Sequence, residues 1–371
     1  DVEEFQSPLE AHFQALKIFC VLYVIVLVQI RIDIRIAAVL GILNTILLII
    51  FSVVFFAWFK YKLGGLLIAV TLANAITACT LIVAGGLKKY IDFSQVARKE
   101  IKAMMQYSWP LIPNAIGWWL INEINRFIIL FYLGVDANGI FAIAIRFPSL
   151  MIAANSIFML SWQDHAIAAE EGGAVKNASY SKIFSTYMVL QFTMVIVLTS
   201  VSKYAVKWII DPKFFEAWQY MPLLYLSVAF STFSSFYGTA YLNTKKTKGL
   251  FSTTLAGSIS NIIICLLLIK PLGLYAPAIG TLAGYAVMWF IRVRQTKGFF
   301  NIKINWSLFI LLLCLSAASI ELVSIGNKYA DIFTFVSAVI IAIVLNRTLA
   351  KYVCQYIFHN LLIRFRTRSS I

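Results

Sequence analysis

The sequence predicts an all-α fold, a polytopic bundle of transmembrane helices. Hydrophobic residues make up 61% of its 371 residues, charged residues only 13%, and the mean hydropathy is +0.85. Soluble domains carry about 25% charged residues, so this balance indicates a chain that lies mostly in lipid. The apolar residues also fall into runs of about 17–25 residues, the length at which a helix crosses a bilayer. The short, strictly alternating segments of a membrane β-barrel are not found in the sequence.

Eleven apolar runs qualify as candidate spans, and polar or basic connections separate them. In chain order they lie at 13–30, 36–59, 64–86, 108–132, 138–161, 183–206, 217–242, 250–269, 274–291, 305–325 and 330–346. We therefore expect about 11 spans in this chain.

Lys and Arg are distributed unevenly between the two sets of alternate loops. One set holds 21 of these residues, Arg292 and Arg294 among them, whereas the other holds seven. Because cytoplasmic loops carry the excess of basic residues, we assign the first set to the cytoplasmic side. The net charge of +15 is thereby explained by the membrane, and no soluble domain remains that would use it to bind nucleic acid.

The connection 87–107 is long, basic and amphipathic. Its apolar positions are too few to cross a bilayer, so we expect a helix that lies at the cytoplasmic surface and links two lobes. About three spans, at 1–86, remain of the first lobe. The second lobe and additional C-terminal spans, about eight in all, occupy 108–348, and 349–371 is predicted to be a basic cytoplasmic tail.

The stretch 107–165 contains two spans that flank a turn, and each span carries an arginine, Arg126 in the first and Arg146 in the second. Counted from the turn, both arginines lie roughly 9–12 Å below the outer membrane face. A charge inside a span is costly and by default marks a functional site. The alternative is structural: Arg126 pairs with Glu123 one turn away, and Arg146 extends to the membrane surface.

Polar residues recur at helical spacing on both spans of this hairpin. They are Asn114, Trp118, Asn122, Asn125 and Arg126 on the first span, and Arg146 and Ser149 on the second. Stripes of this kind face a bundle interior or a watery cavity rather than lipid. We therefore predict that these seven residues bind the substrate.

The sequence offers no candidate for a metal or cofactor site. Its five cysteines lie in or beside apolar segments without a Cys-x-x-Cys pair, and its three histidines are scattered. We predict no catalytic residues, no metal and no cofactor.

The hairpin has a specific order of residues behind the basic connection. It reads YSWPLIPNAIGWWLINEINRFIILFYLGVDANGIFAIAIRFPSL and then SIFMLSWQDHAI. In this order it resembles the oligosaccharide (O-antigen/polysaccharide) flippase family of the multidrug/oligosaccharidyl-lipid/polysaccharide exporter superfamily. The rest of the chain is similar to that family in hydropathy, loop charge and spacing more than in letters.

The resemblance implies a fold and a function. Such proteins have twelve or fourteen helices in two lobes around a central cationic cavity. They move polyprenyl-pyrophosphate-linked oligosaccharide across the bacterial cytoplasmic (inner) membrane by alternating access, and they are not enzymes. Arg126 and Arg146 fall where basic residues of the family's motif stand. The implied partners are the lipid-linked oligosaccharide, membrane lipids and other polysaccharide-assembly proteins. Set against that helix count, the resemblance implies that three N-terminal helices are missing from this chain, which begins at Asp1.

Three other functions compete with this one. A multidrug or cation antiporter of the same superfamily would need acidic groups at its binding site, and Glu123 is the one carboxylate near the stripe. A membrane glycan polymerase or acyltransferase would need a catalytic group in a sizeable outer loop or a buried histidine, and the longest outer loop, VKWIIDPKFFE, supplies neither. A purely structural membrane protein would have little use for arginines in its spans.

Overall fold

The computed structural model describes residues 34–58, 63–84, 98–168, 174–298 and 300–347. Within these ranges the chain is helical apart from turns and contains no strand, so the predicted all-α class is confirmed for them. The helices are α1 (Ile34–Val53), α2 (Leu63–Ala84), α3 (Arg98–Ser108), α4 (Leu111–Ala168), α5 (Ala174–Ile209), α6 (Met221–Asn243), α7 (Thr247–Leu272), α8 (Tyr275–Thr296), α9 (Trp306–Ser324) and α10 (Lys328–Arg347). A π-helical turn, Val54–Trp58, follows α1, and a 3₁₀ helix, Pro212–Gln219, precedes α6.

The chain separates into two compact units, Asp1–Ile101 and Lys102–Ile371. In the first unit α1 packs on α2 through polar side chains: Asn44 Nδ2 donates to Asn74 Oδ1 at 3.3 Å, and Thr77 Oγ1 donates to Asn44 Oδ1 at 3.1 Å. The predicted span 13–30 and the predicted tail 349–371 lie outside the described residues. Within the predicted connection 87–107, α3 forms from Arg98 onward.

Helix α4 is a hairpin rather than one straight rod. Its 58 residues would measure about 87 Å as a straight helix, far more than a hydrocarbon core of about 30 Å. The backbone leaves the helical region at Gly134, where φ is 86° and ψ is −174°, a conformation open to glycine and strained for other residues. Residues on both sides of the break, Asn125 and Ile145 among them, line one cavity, so the chain reverses at Gly134.

Seven helical stretches among the described residues are long and apolar enough to cross a membrane. They are Val39–Phe56, Met104–Gln163, Ala178–Ile209, Thr247–Leu272, Tyr275–Thr296, Trp306–Ser324 and Lys328–Arg347. Met104–Gln163 contains both arms of α4. These stretches indicate a multi-pass membrane protein, but they do not confirm the predicted total of about 11. Helix α6, at the predicted span 217–242, is long enough to cross but is rich in Ser, Thr and Tyr.

Helix α6 is the centre of the second unit. It contacts α4, α5, α7, α8 and α9, and its side chains are buried on nearly every turn. Phe233 and Phe236 pack against aromatic rings on α5 and α8, Phe184 and Trp289. The hydroxyl groups that reduce the apolar character of α6 therefore lie inside the bundle, where neighbouring helices can accept or donate to them.

Helices α7 and α8 approach each other closely because small residues face each other at their contact. A Cβ on Gly257 would lie 2.8 Å from the carbonyl oxygen of Gly284, and a Cβ on Gly280 would lie 2.7 Å from Asn261 Oδ1. A larger side chain at either glycine would force the two backbones apart. This close contact holds α7 and α8 together, and the polar face of α4 packs against both helices.

Candidate functional site

The three asparagines predicted for the first arm of α4 all face α7 and α8. Thr254 Oγ1 donates to Asn114 Oδ1 at 2.6 Å, and Tyr285 Oη donates to Asn122 Oδ1 at 2.8 Å. The third, Asn125, has two acceptors on α8, the hydroxyl of Thr281 and the carbonyl of Pro277. The helical spacing thus places these three amides on one face of α4. We call Asn114, Trp118, Asn122 and Asn125 the α4 stripe.

Trp118 lies between two side chains of α8. Its ring centroid is 5.5 Å from that of Tyr285 and 5.9 Å from Cζ of Arg292. The second distance is within the range of a cation–π contact, which for an arginine is strongest on a tryptophan ring. The indole is half-buried, so one part of it still faces away from α8.

Two residues of α7 that the sequence did not single out complete the contact with α4. Ser258 Oγ donates to the carbonyl of Gly117 at 2.9 Å, and Asn261 Nδ2 donates to the carbonyl of Ile121 at 3.2 Å. At Gly117 a Cβ would lie 2.8 Å from Cγ2 of Thr254, so glycine permits this approach. Side-chain hydrogen bonds to backbone carbonyls commonly join membrane helices. Helix packing therefore accounts for part of the polar character of the α4 stripe.

A small crevice of about 60 Å³ lies between the two arms of α4, α6 and α8. Its polar lining consists of Asn122, Asn125, Ser227, Ser231, Thr281 and Tyr285. Asn125 Oδ1 is buried and has no partner among the described residues. A water occupies about 10–15 Å³ on this kind of measure, so the crevice has room for a few waters and not for a lipid headgroup.

The two predicted arginines of the hairpin are not buried in this conformation. Arg126 Nε lies 3.9 Å from Glu123 Oε2, and the two side chains are 40% and 43% exposed, so the pair is long and only partly buried. Arg146 and Ser149 are exposed, and Ser149 Oγ donates to the Arg146 carbonyl at 2.6 Å. Neither of these two residues lines the crevice. The structure therefore brings together the four residues of the α4 stripe but not Arg146 and Ser149.

The buried cation of this region is Arg292. The loop-charge count treats it as a cytoplasmic loop residue, whereas the structure places it within α8 at 1% exposure. Its position near the C-terminal end of α8 and beside Arg294 made it resemble a loop residue. Helical spacing carried the opposite signal, because Thr281, Tyr285, Met288, Arg292 and Thr296 recur every three or four residues, and all five are buried.

Another buried polar cluster, around Asn155, joins the second arm of α4 to α5 and α6. Its Nδ2 lies 3.0 Å from Gln191 Oε1 and 3.1 Å from Thr232 Oγ1, and Gln191 Nε2 donates to its Oδ1 at 2.6 Å.

At the predicted outer side, Lys203 Nζ pairs with Asp331 Oδ2 at 2.7 Å. Asp331 is 4% exposed, so this ion pair ties α10 to α5. Among the described residues no group of His, Cys, Asp and Glu is arranged to hold a metal ion.

Comparison with known proteins identifies the fold of the chain. No protein-family model matches the sequence, and no curated protein matches it significantly. The solved structure of the lipid II flippase MurJ in an inward closed conformation matches with a TM-score of 0.58, at 13% identity over 84% of this chain and 67% of that one. A mutant MATE structure matches with a TM-score of 0.53, at 14% identity over 77% of this chain and 63% of that one. At such identities the likeness shows a shared fold.

Proposed function

We propose that this chain acts as a flippase that moves polyprenyl-pyrophosphate-linked oligosaccharide across the bacterial cytoplasmic membrane, for O-antigen or capsule biosynthesis. The proposed mechanism is alternating access by two lobes around a central cavity, with about 11 of the spans in this chain. Its fold, shared with a lipid II flippase and a MATE protein, supports an exporter of their superfamily. Transport rather than catalysis is the activity that this fold supports.

We choose an anionic substrate because of the positive charge of α6, α7 and α8. The charged residues of α6, α7 and α8 are Lys248, Lys270, Arg292 and Arg294, and of these only Arg292 is buried. Arg126, next to the α4 stripe, adds a second positive charge beside the carboxylate of Glu123. Because these three helices contain no Asp or Glu, the buried charge of Arg292 attracts anions and repels cations.

The side chains of the stripe suit the headgroup of such a lipid. Sugar hydroxyls and phosphates cannot cross hydrocarbon without partners, because their desolvation would go uncompensated. Amides such as Asn122 and the half-buried ring of Trp118 can replace water around a sugar, and arginine can bind phosphate oxygens in pairs. In the proposal, Arg126, Arg146 and Ser149 act with Asn114, Trp118 and Asn122 at successive levels of the path, while the buried Asn125 holds α4 against α8.

The test is lipid translocation by the full-length protein in liposomes, measured with a fluorescent polyprenyl-pyrophosphate oligosaccharide and an impermeant quencher. Arg146→Glu should abolish translocation, because a like charge would face the phosphate. Arg146→Lys should keep part of the rate, since the charge remains while the paired hydrogen bonds are lost. Lys207→Glu, an equal charge change at an exposed position on α5, is the matched control and should translocate normally. Normal translocation by Arg146→Glu would refute the cationic path.

A cation antiporter is the second candidate, and the likeness to a MATE protein favours it. It predicts uptake of an organic cation driven by an ion gradient in the same liposomes, without lipid translocation. Among the described spans the buried carboxylate is Asp331, whose charge Lys203 already balances. If cation uptake is found and lipid translocation is not, this candidate replaces the flippase.

A further inference from the structure

Arg292 carries a buried positive charge that no carboxylate neutralises within the part of the chain that the structure describes. All three hydrogen bonds of its guanidinium go to neutral oxygens. Nε donates to Thr253 Oγ1 at 3.0 Å, Nη1 to the carbonyl of Ser234 at 2.8 Å, and Nη2 to Thr254 Oγ1 at 2.9 Å. A buried charge is costly unless it is paired, so a cation left in this state indicates a use for the charge itself.

Two helices, α6 and α7, are shaped around this guanidinium of α8. The consecutive hydroxyls of α7 and one carbonyl of α6 form its acceptors. On α6, glycine at 238 makes room, because a Cβ there would lie 3.0 Å from Nη1 of Arg292. The site is therefore fitted to a planar, forked cation, and lysine could supply the charge but not all the contacts.

The guanidinium contacts the α4 stripe directly at Trp118 and indirectly at Asn114, through Thr254. Thr254 Oγ1 accepts from Arg292 and lies 2.6 Å from Asn114 Oδ1, to which it donates. Trp118 covers the guanidinium on the same side. Asn122 is held by Tyr285, which lies seven residues and thus about 10 Å along α8 from Arg292.

We propose that Arg292 is the specificity-determining positioning residue of the α4 stripe. It orients Asn114 through Thr254 and holds the ring of Trp118. Its buried charge also makes the electrostatic potential positive at the cytoplasmic end of the stripe. Buried charge is poorly screened by salt, so its potential extends to a group that binds at Trp118 or Asn122. The preference for an anionic headgroup on the cytoplasmic side would then come from a residue that never contacts it. This inference rests on the proposed transport of an anionic lipid.

A chemical probe of local potential tests the proposal apart from transport. In full-length protein with the native cysteines replaced, a single cysteine at Asn122, an exposed position, reacts with two thiosulfonate reagents of similar size, one anionic and one cationic. The ratio of the two rates reports the electrostatic potential at that position. Removing one charge about 10 Å away should lower the anion-to-cation ratio on the order of tenfold, because the reagents differ by two charges.

Four variants separate the charge of Arg292 from its packing. Arg292→Gln and Arg292→Met both remove the charge, the first with a hydrogen-bonding side chain and the second with an apolar one. If only one of the two folds, that variant is sufficient to test the proposal. Arg292→Lys keeps the charge and should keep the ratio. Arg294→Met removes an equal charge from an exposed position two residues away on α8 and should change the ratio little.

Each outcome has one meaning. A tenfold fall in Arg292→Gln or Arg292→Met, with Arg292→Lys near the parent value, supports the proposal. An unchanged ratio in a folded neutral variant overturns it and leaves Arg292 as a packing residue. Transport of the pyrophosphate lipid is measured in parallel: if the ratio falls as expected but no lipid is moved by the parent protein, the flippase function fails while the anion-selective stripe stands.

Discussion

Asn125 and Thr281 are 156 positions apart in the sequence and are joined by a hydrogen bond of 2.7 Å between Nδ2 and Oγ1. Asn125 is 1% exposed, so this bond lies inside the bundle between α4 and α8. The same residue was predicted to bind substrate. Its burial indicates helix packing in this conformation, while Asn122, three residues earlier and exposed, has the access that a substrate contact requires.

The two roles can be separated by measuring stability and transport for each asparagine. Asn125→Ala should lower the free energy of unfolding by about 1 kcal/mol, a typical value for a hydrogen bond between membrane helices. Asn122→Ala should change stability by less and lipid translocation by more. Thermal unfolding in detergent and the liposome assay give the two numbers. If Asn125→Ala is as stable as the parent but inactive, Asn125 acts on substrate instead.

The contact between α7 and α8 predicts an unusual sensitivity to a single methyl group. Gly257→Ala places a Cβ 2.8 Å from the carbonyl oxygen of Gly284, a backbone atom that cannot rotate away. We expect a loss of about 1–3 kcal/mol in unfolding free energy, typical of overpacking. Gly41→Ala on α1 is the matched control, because nothing lies within 4 Å of that Cβ and alanine favours a helix. Equal stability of the two variants would show that α7 and α8 separate readily.

The sequence could predict the residues that share a face more readily than the partners of that face. Spacing of three and four residues was sufficient to align Asn114, Trp118, Asn122 and Asn125, because helical period is a local property. It could not show that Thr254, Tyr285 and Thr281 would satisfy the amides, since these partners lie 140 to 163 positions away.

Arg292 shows a second limit of sequence-based reasoning. A basic residue near the end of an apolar run is usually in a loop, and Arg294 two residues later is exposed as expected. Helical spacing puts Arg292 on the buried face of α8, but the sequence does not show that α6 and α7 supply oxygens to its guanidinium. Conversely, the predicted turn after the first hairpin span is reduced to the single residue Gly134, since helix resumes at once and includes Asp136.

The pair of Arg126 and Glu123 makes a further prediction. The Nε–Oε2 distance of 3.9 Å is long for an ion pair and both side chains are about 40% exposed, so we expect the pair to contribute little to stability. Arg126→Ala should therefore leave thermal stability unchanged and reduce lipid translocation, because a cation of the path is lost. The double variant with Glu123→Gln distinguishes a stranded carboxylate from a lost binding group. Recovery of translocation in the double variant would mean that the arginine serves only to balance Glu123.

The orientation of the chain in the membrane is tested at three exposed positions. Asp136 lies just beyond the break of α4, Asn327 between α9 and α10, and Lys246 between α6 and α7. All three side chains are exposed in the structure, so a difference in their labelling reports the side of the membrane and not burial. The excess of basic residues on one side remains when Arg292 is removed from the count, and it places Lys246 in the cytoplasm. In intact cells, single cysteines at Asp136 and Asn327 should react with an impermeant thiol reagent, whereas one at Lys246 should react only after the membrane is opened. The reverse pattern would place the turn of α4 on the cytoplasmic side and would overturn the predicted orientation of the chain.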